Sequence, residues 1–354
     1  MPAEGLDADA IAEAIVLAGV APMAAAGCGA KVGRAWRVEE GGATATFFDL
    51  ASLTKPMTAL AFVRAGIDPA TPLGAVLPEL RTTASGDVPL ELFLAHRAGL
   101  APHVALFAPL VAGEAIERAE SLRVAAEARR EDARGAPPPE GFPPLYSDMG
   151  YLLAGEALAR ATGARDAGEA IAKLVIEPLG LAAELGTARE LEAKGVDLAA
   201  EAAPTEDVPW RGGVVRGRVH DENAWAMTGA GGSGHAGIFG TARAVLAFGR
   251  AVLDALSADR RTIWLVAPRP GGTLRAGFDG KSAEGSSAGT VAGERTFGHL
   301  GFTGTSLWID PDAGAVVVLL TNRVHPTREN VAIRAARPRA HDALFARARV
   351  LSRS

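Results

Sequence analysis

Strand-like segments sit at both ends of this chain, and helix-like segments fill its middle. Near the start, residues 6–19 have the spacing of an amphipathic helix and residues 22–29 read as a strand, with a second strand around 33–38. Glu39-Glu40-Gly41-Gly42 is a turn signal, and residues 44–48 then run up to a helix that starts near Ser52. Near the end, residues 307–309 and 315–320 are strand-like and flank Asp310-Pro311-Asp312-Ala313-Gly314, a strong hairpin signal. Residues 296–302 give a preceding strand. Sheets need their strands side by side, so the simplest fold closes one antiparallel sheet from both termini. The expected class is therefore α/β (α+β), with helices flanking that sheet and a helical insertion between its halves. Residues 1–65 and 241–354 are expected to form the sheet domain and residues 66–240 the mostly helical insertion.

The middle fits that division. A helix over 90–96 stops at Arg97-Ala98-Gly99, and a polar helix spans 116–134. Pro137-Pro138-Pro139 and Pro143-Pro144 make a stiff loop before a helix over 149–161. Residues 185–240 are loop-rich, with 229–237 the most flexible by composition. An amphipathic helix follows over 241–256. The last helix, 329–350, is expected to break or kink at Pro338, with its arginines on a solvated face. No repeat of fixed period is present.

Composition limits function. The 354 residues suit one large domain or two interleaved ones, and 48% hydrophobic content is ample for a core. A net charge of -5 argues against nucleic acid as the main partner. Cys28 is the sole cysteine, so no intramolecular disulfide can form. Ala24-Ala25-Ala26-Gly27-Cys28 faintly resembles a lipoprotein cleavage box. However, Glu4, Asp7, Asp9 and Glu13 occupy the place of the required positive region. No segment approaches the ~18 apolar residues of a membrane span. A cytoplasmic location is expected, or a periplasmic one if a leader has been removed.

Ser52-Leu53-Thr54-Lys55 carries the chemistry. On the first turn of a helix, a serine and a lysine three residues apart share one face. A hydroxyl nucleophile then lies beside an amine able to take its proton. Pro56 directly after Lys55 is tolerated only near a helix start, which places Ser52 at a helix N-terminus. With 12 Ser and 5 Lys, such a spacing arises by chance about 0.2 times, so it needs context. Part of that context is the 31 Arg against 5 Lys: a generic surface cation in this chain is Arg, which cannot deprotonate.

Two further segments stand out. In Tyr146-Ser147-Asp148, either Ser147 or Asp148 caps the next helix while Tyr146 packs, or Tyr146 is a proton-transfer group acidified by a nearby lysine. In His299-Leu300-Gly301-Phe302-Thr303-Gly304, the glycines signal a bulged strand or the close approach of another chain or ligand. His96 and His103 are poorly spaced for a metal, and His96 reads as a helix-end or core residue. His220-Asp221-Glu222-Asn223 reads as a turn capping neighbouring backbone, with a substrate wall as the alternative. His235 suits a lid or cleft edge. There is no G-x-S-x-G elbow, which argues against an α/β-hydrolase.

In their order, SLTK, YSD and HLG resemble the serine β-lactamase and penicillin-binding-protein superfamily, closest to its class C-like branch of β-lactamase-related hydrolases, DD-peptidases and carboxylesterases. The resemblance covers about residues 10–345. It implies a β-lactamase/DD-peptidase-like fold with the active site between the two parts. It also implies a serine hydrolase working through a Ser52 acyl-enzyme on an ester, a D-amino-acid peptide or a β-lactam, with no metal or organic cofactor. Lys55 and Tyr146 would share the proton work, and which is the base stays open. The backbone N–H groups of Ser52 and Phe302 would form the oxyanion hole. Asp148, His299, Leu300 and Gly301 would contact substrate.

Three departures bear on substrate. Asp148 stands where the family often has Asn, and an ionised carboxylate near Lys55 favours the charged lysine. His299 and Leu300 stand where Lys and Thr are common, which weakens carboxylate recognition and tilts the expectation from β-lactams towards esters or peptides, although arginines elsewhere could supply the charge. The alternative is a non-catalytic relative that binds a peptide or cell-wall fragment in the same cleft. Oligomeric state is not legible.

Overall fold

A computed structural model describes residues 6–353; Glu4 lies outside them. Helix α1 (Ala8–Leu17) starts at Asp7, whose carboxylate accepts the Ala10 N–H. Strands β1 (Ala24–Val32) and β2 (Ala35–Gly42) follow as a hairpin. Its turn is Gly33-Arg34, because Val32 pairs with Ala35 and pairing continues to Ala25 opposite Gly42. Glu39–Gly42 is therefore strand, not the expected turn. Gly41 is required there because α1 lies on the strand: a Cβ would fall 2.2 Å from the Asp9 nitrogen.

Residues 44–48 contribute only their last member to a strand, the two-residue β3 (Phe48–Asp49), which leads into α2 (Thr54–Arg64). The middle is chiefly helical: α3 (Leu90–Leu94), α4 (Arg118–Glu127), α5 (Asp148–Thr162) and α6 (Glu222–Thr228). Helix α4 stops well before 134. Strands β4 (Leu185–Thr187) and β5 (Ile238–Gly240) join β3 in a small sheet ordered β3-β5-β4. Of the glycine-rich loop expected to be flexible, residues 231–237 are buried and only Gly229 and Ala230 are exposed. Helix α7 (Ala242–Ala255) buries Val245, Leu246, Phe248 and Val252.

The main sheet is completed by β6 (Asp279–Gly280), β7 (Phe297–Leu300), β8 (Ser306–Asp310) and β9 (Ala315–Thr321). Its order is β2-β1-β9-β8-β7-β6, with antiparallel neighbours, so the N-terminal hairpin adds directly to the C-terminal strands. Central β9 is buried on both faces. Val316, Val318 and Leu320 pack with Leu246 and Phe248 on one side. Val317 and Leu319 pack with Ile11, Ile15, Leu344 and Phe345 on the other, as the two-residue period of a strand requires. The final helix, α8 (Ile333–Arg353), runs through Pro338 unbroken and lies on the same face as α1. Among the described residues, no helix is long and apolar enough to cross a membrane.

Candidate active site

The turn that carries Ser52 is built by Asp49. Its carboxylate accepts the Ala51 N–H at 2.8 Å and the His220 N–H at 2.7 Å. Burial pushes this carboxyl up to about 6. The turn holds Ala51 at φ +47°, a conformation costly for a residue with a Cβ and typical of functional sites. Ser52 follows on a single 3₁₀ turn and Lys55 on the first turn of α2.

Lys55 is fully buried, and its Nζ donates to Ser52 Oγ at 2.8 Å and to Asp148 Oδ1 at 2.7 Å. It lies 4.6 Å from the centre of the Tyr146 ring. Burial alone would lower the lysine, but the charge of Asp148 and the neighbouring Tyr146 outweigh it and leave the amine raised. Burial, helped by Asp148, also raises the Tyr146 phenol, although Lys55 pulls it down. The phenol is thus not acidified on balance, contrary to the reading that a nearby lysine would achieve this. At rest the group is an ammonium, a carboxylate and a neutral phenol around Ser52.

Tyr146 reaches this place because the stiff proline loop ends at α5, where Ser147 is the N-cap and accepts the Gly150 N–H. Capping and site roles therefore coexist in Tyr146-Ser147-Asp148. Behind Tyr146, the His96 ring stacks at 4.6 Å and its Nδ1 accepts the Ser147 N–H. Burial and the Lys55 charge hold His96 well below its ordinary range, so it stays neutral. His96 ends α3 in the core, as expected, and supports Tyr146, which its sequence position did not signal.

A cleft of about 540 Å³ opens over Ser52, lined by Tyr146, Asp148, Leu300, Gly301 and Phe302 among others. Gly301 permits the β7 edge to meet the Ser52 turn: a Cβ there would lie 2.0 Å from Thr305 Oγ1 and 2.6 Å from the Leu50 carbonyl. The turn is joined to this edge by Thr303 Oγ1, donating to the Asp49 carbonyl at 2.7 Å, and by Thr305 Oγ1, donating to the Leu50 carbonyl at 3.0 Å. His299 is not in the cleft wall. It is buried behind Tyr146, with Nδ1 on the Leu300 carbonyl at 2.8 Å, and burial lowers it to about 3.

His220, Asp221 and Glu222 also line the cleft, with the His220 ring stacked on Phe302 at 5.8 Å. Asp221 caps α6 and Asn223 bonds the backbone of Phe107 and Val104, so the turn does cap its neighbours as expected, while also facing the cleft. His235 is buried behind the wall rather than at its edge, bonded to Asp221 at 2.9 Å and Ser233 at 3.0 Å. Arg323, Arg328, Arg334 and Arg337 line the same cleft. Among the described residues, no group of His, Cys, Asp and Glu is arranged to hold a metal ion.

A Beta-lactamase family model matches residues 9–341. The chain belongs to the beta-lactamase family. A relative shares 28% identity with it over 201 residues, 51% of this chain and 45% of the relative: a "Putative D-alanyl-D-alanine carboxypeptidase" of Escherichia coli O157:H7. The chain spans about half the length of the curated relatives it matches. Among solved structures, EstCE1, described as a hydrolase with promiscuous acyltransferase activity, superposes with a TM-score of 0.67 at 18% identity, covering 95% of this chain and 96% of that one. A class C beta-lactamase from Rhodobacter sphaeroides gives 0.65 at 19% identity, covering 96% and 98%. At such identities these two likenesses establish the fold alone, and that fold is the expected one.

Proposed function

We propose that this beta-lactamase-family protein is a serine hydrolase that acts through a Ser52 acyl-enzyme on an ester or a short peptide. The observation that carries the reading is the contact of Lys55 Nζ with Ser52 Oγ at 2.8 Å, beneath a cleft open to a substrate. Ser52 attacks the carbonyl carbon, and the Ser52 proton passes into the Lys55–Tyr146 pair as the C–O bond forms. Lys55 is an ammonium beside Asp148, so the reactive form is the minor one in which Tyr146 is a phenolate steadied by that ammonium; the phenolate accepts the Ser52 proton and becomes the neutral phenol. The negative oxygen of the tetrahedral intermediate lies against the N–H groups of Ser52 and Phe302, and the Phe302 N–H donates to no acceptor among the described residues. Collapse expels the leaving group, which takes the proton back from Tyr146, and water then hydrolyses the ester.

The substrate preference rests on Leu300 and His299. Leu300 offers no hydroxyl to a carboxylate, and His299 is neutral and turned away. Rates on short-chain p-nitrophenyl esters should exceed those on a chromogenic cephalosporin by a wide margin. A cephalosporin turned over much faster than the esters would overturn the preference, with Arg323 and Arg334 the groups then supplying the charge.

A further inference from the structure

Arg337 belongs to the arginine-rich last helix, yet only 8% of it is exposed. One of its terminal nitrogens donates to the Gly301 carbonyl at 2.8 Å and to the Thr305 carbonyl at 3.0 Å. Its Nε is buried without a partner, and among the described residues it forms no ion pair. Burial pulls it down to about 10, so it remains charged at neutral pH, with Arg323 as a like-charged neighbour. An unpaired buried cation is costly, and its persistence calls for an explanation.

The Gly301 carbonyl belongs to the same peptide unit as the Phe302 N–H. A cation bonded to the oxygen of that unit fixes the peptide plane, and with it the direction of the N–H. It also draws electron density towards the oxygen, which makes the N–H a stronger donor, because hydrogen bonds along a chain polarise one another. Arg323 holds the other end of the residue, donating to the Phe302 carbonyl at 2.8 Å. The turn is thus held by two arginines on successive carbonyls, while the Phe302 N–H, on a residue that lines the cleft, donates to no acceptor among the described residues.

We infer that Arg337 is a positioning residue for the oxyanion hole: it aims and polarises the Phe302 amide, and the anion that forms on the substrate during acyl transfer is its missing counter-charge. This rests on the Ser52 acyl-enzyme reading. The negative charge exists in the transition state and not in the bound ester, so loss of Arg337 falls on kcat and spares KM.

The test compares wild type with Arg337→Met and Arg337→Lys on a neutral p-nitrophenyl ester, together with the affinity of a simple boronic acid, whose Ser52 adduct is tetrahedral and anionic. Wild-type hydrolysis and boronate binding establish the Ser52 reading independently. Removal of an oxyanion donor costs about 10²–10³ in rate, and weakening one costs less, so Arg337→Met should lose about tenfold or more in kcat with KM within about twofold. Boronate affinity should fall in parallel. Lysine retains the charge and can reach a carbonyl, so Arg337→Lys should recover part of both, and it serves alone if the methionine variant does not fold. Unchanged kcat in a folded variant, or a loss confined to KM, overturns the inference.

Discussion

At the scale of single residues, the site is set by one ion pair and one phenol. Asp148 at 2.7 Å holds the buried Lys55 in its ammonium form, and the Tyr146 phenol is raised as well. Base forms of both groups are therefore scarce near neutrality and grow as pH rises. For a neutral ester, kcat/KM should climb from about pH 7 to beyond about pH 9, a tenfold gain per unit while the base form is the minor species. Asp148→Asn removes an anion that raises both the Tyr146 phenol and Lys55. The rising limb should move to lower pH, with several-fold more activity at neutrality. A pH–rate profile measures this directly, and a limb that stays in place would show that Asp148 does not set the base. Asp148 was legible as a departure from the family pattern. The raised phenol was not, because a spacing in sequence does not reveal how deeply Tyr146 is enclosed.

At the scale of elements, the geometry of the proposed site depends on one junction, where the Ser52 turn after β3 meets the turn after β7. Thr303 and Thr305 bond across it, and Gly301 lets the backbones approach. Gly301→Ala forces a Cβ against Thr305 and the Leu50 carbonyl, an overpacking that typically costs about 1–3 kcal/mol. Urea denaturation should show that loss, accompanied by reduced kcat; wild-type stability in this variant would contradict the close approach. The hairpin over 310–314 and the apolar run of β9 were plain in sequence, since each is a local pattern. Glu39–Gly42 misled, because Gly41 makes room for α1 rather than for a turn, and that partner is distant from local composition. The short strand β3 was not legible for the same reason: its pairing partner is β5, far along the chain.

At the scale of the molecule, the ends of the chain make the sheet and its middle supplies Tyr146 and Asp148, so the cleft exists only once both are folded together. That arrangement was readable because strand signals clustered at the two termini. The fate of the last helix was not: an arginine-rich stretch reads as a solvated face, and only tertiary packing turns Arg337 inward. The central claim is that this assembly makes Ser52 a nucleophile. Intact-mass spectrometry with peptide mapping after fluorophosphonate treatment tests it most directly. A single adduct on Ser52 is predicted for the wild type, with none on Ser52→Ala and none on Tyr146→Phe. An unmodified wild type, or an adduct that persists in Ser52→Ala, would contradict the account, and labelling retained in Tyr146→Phe would remove Tyr146 from the proton path.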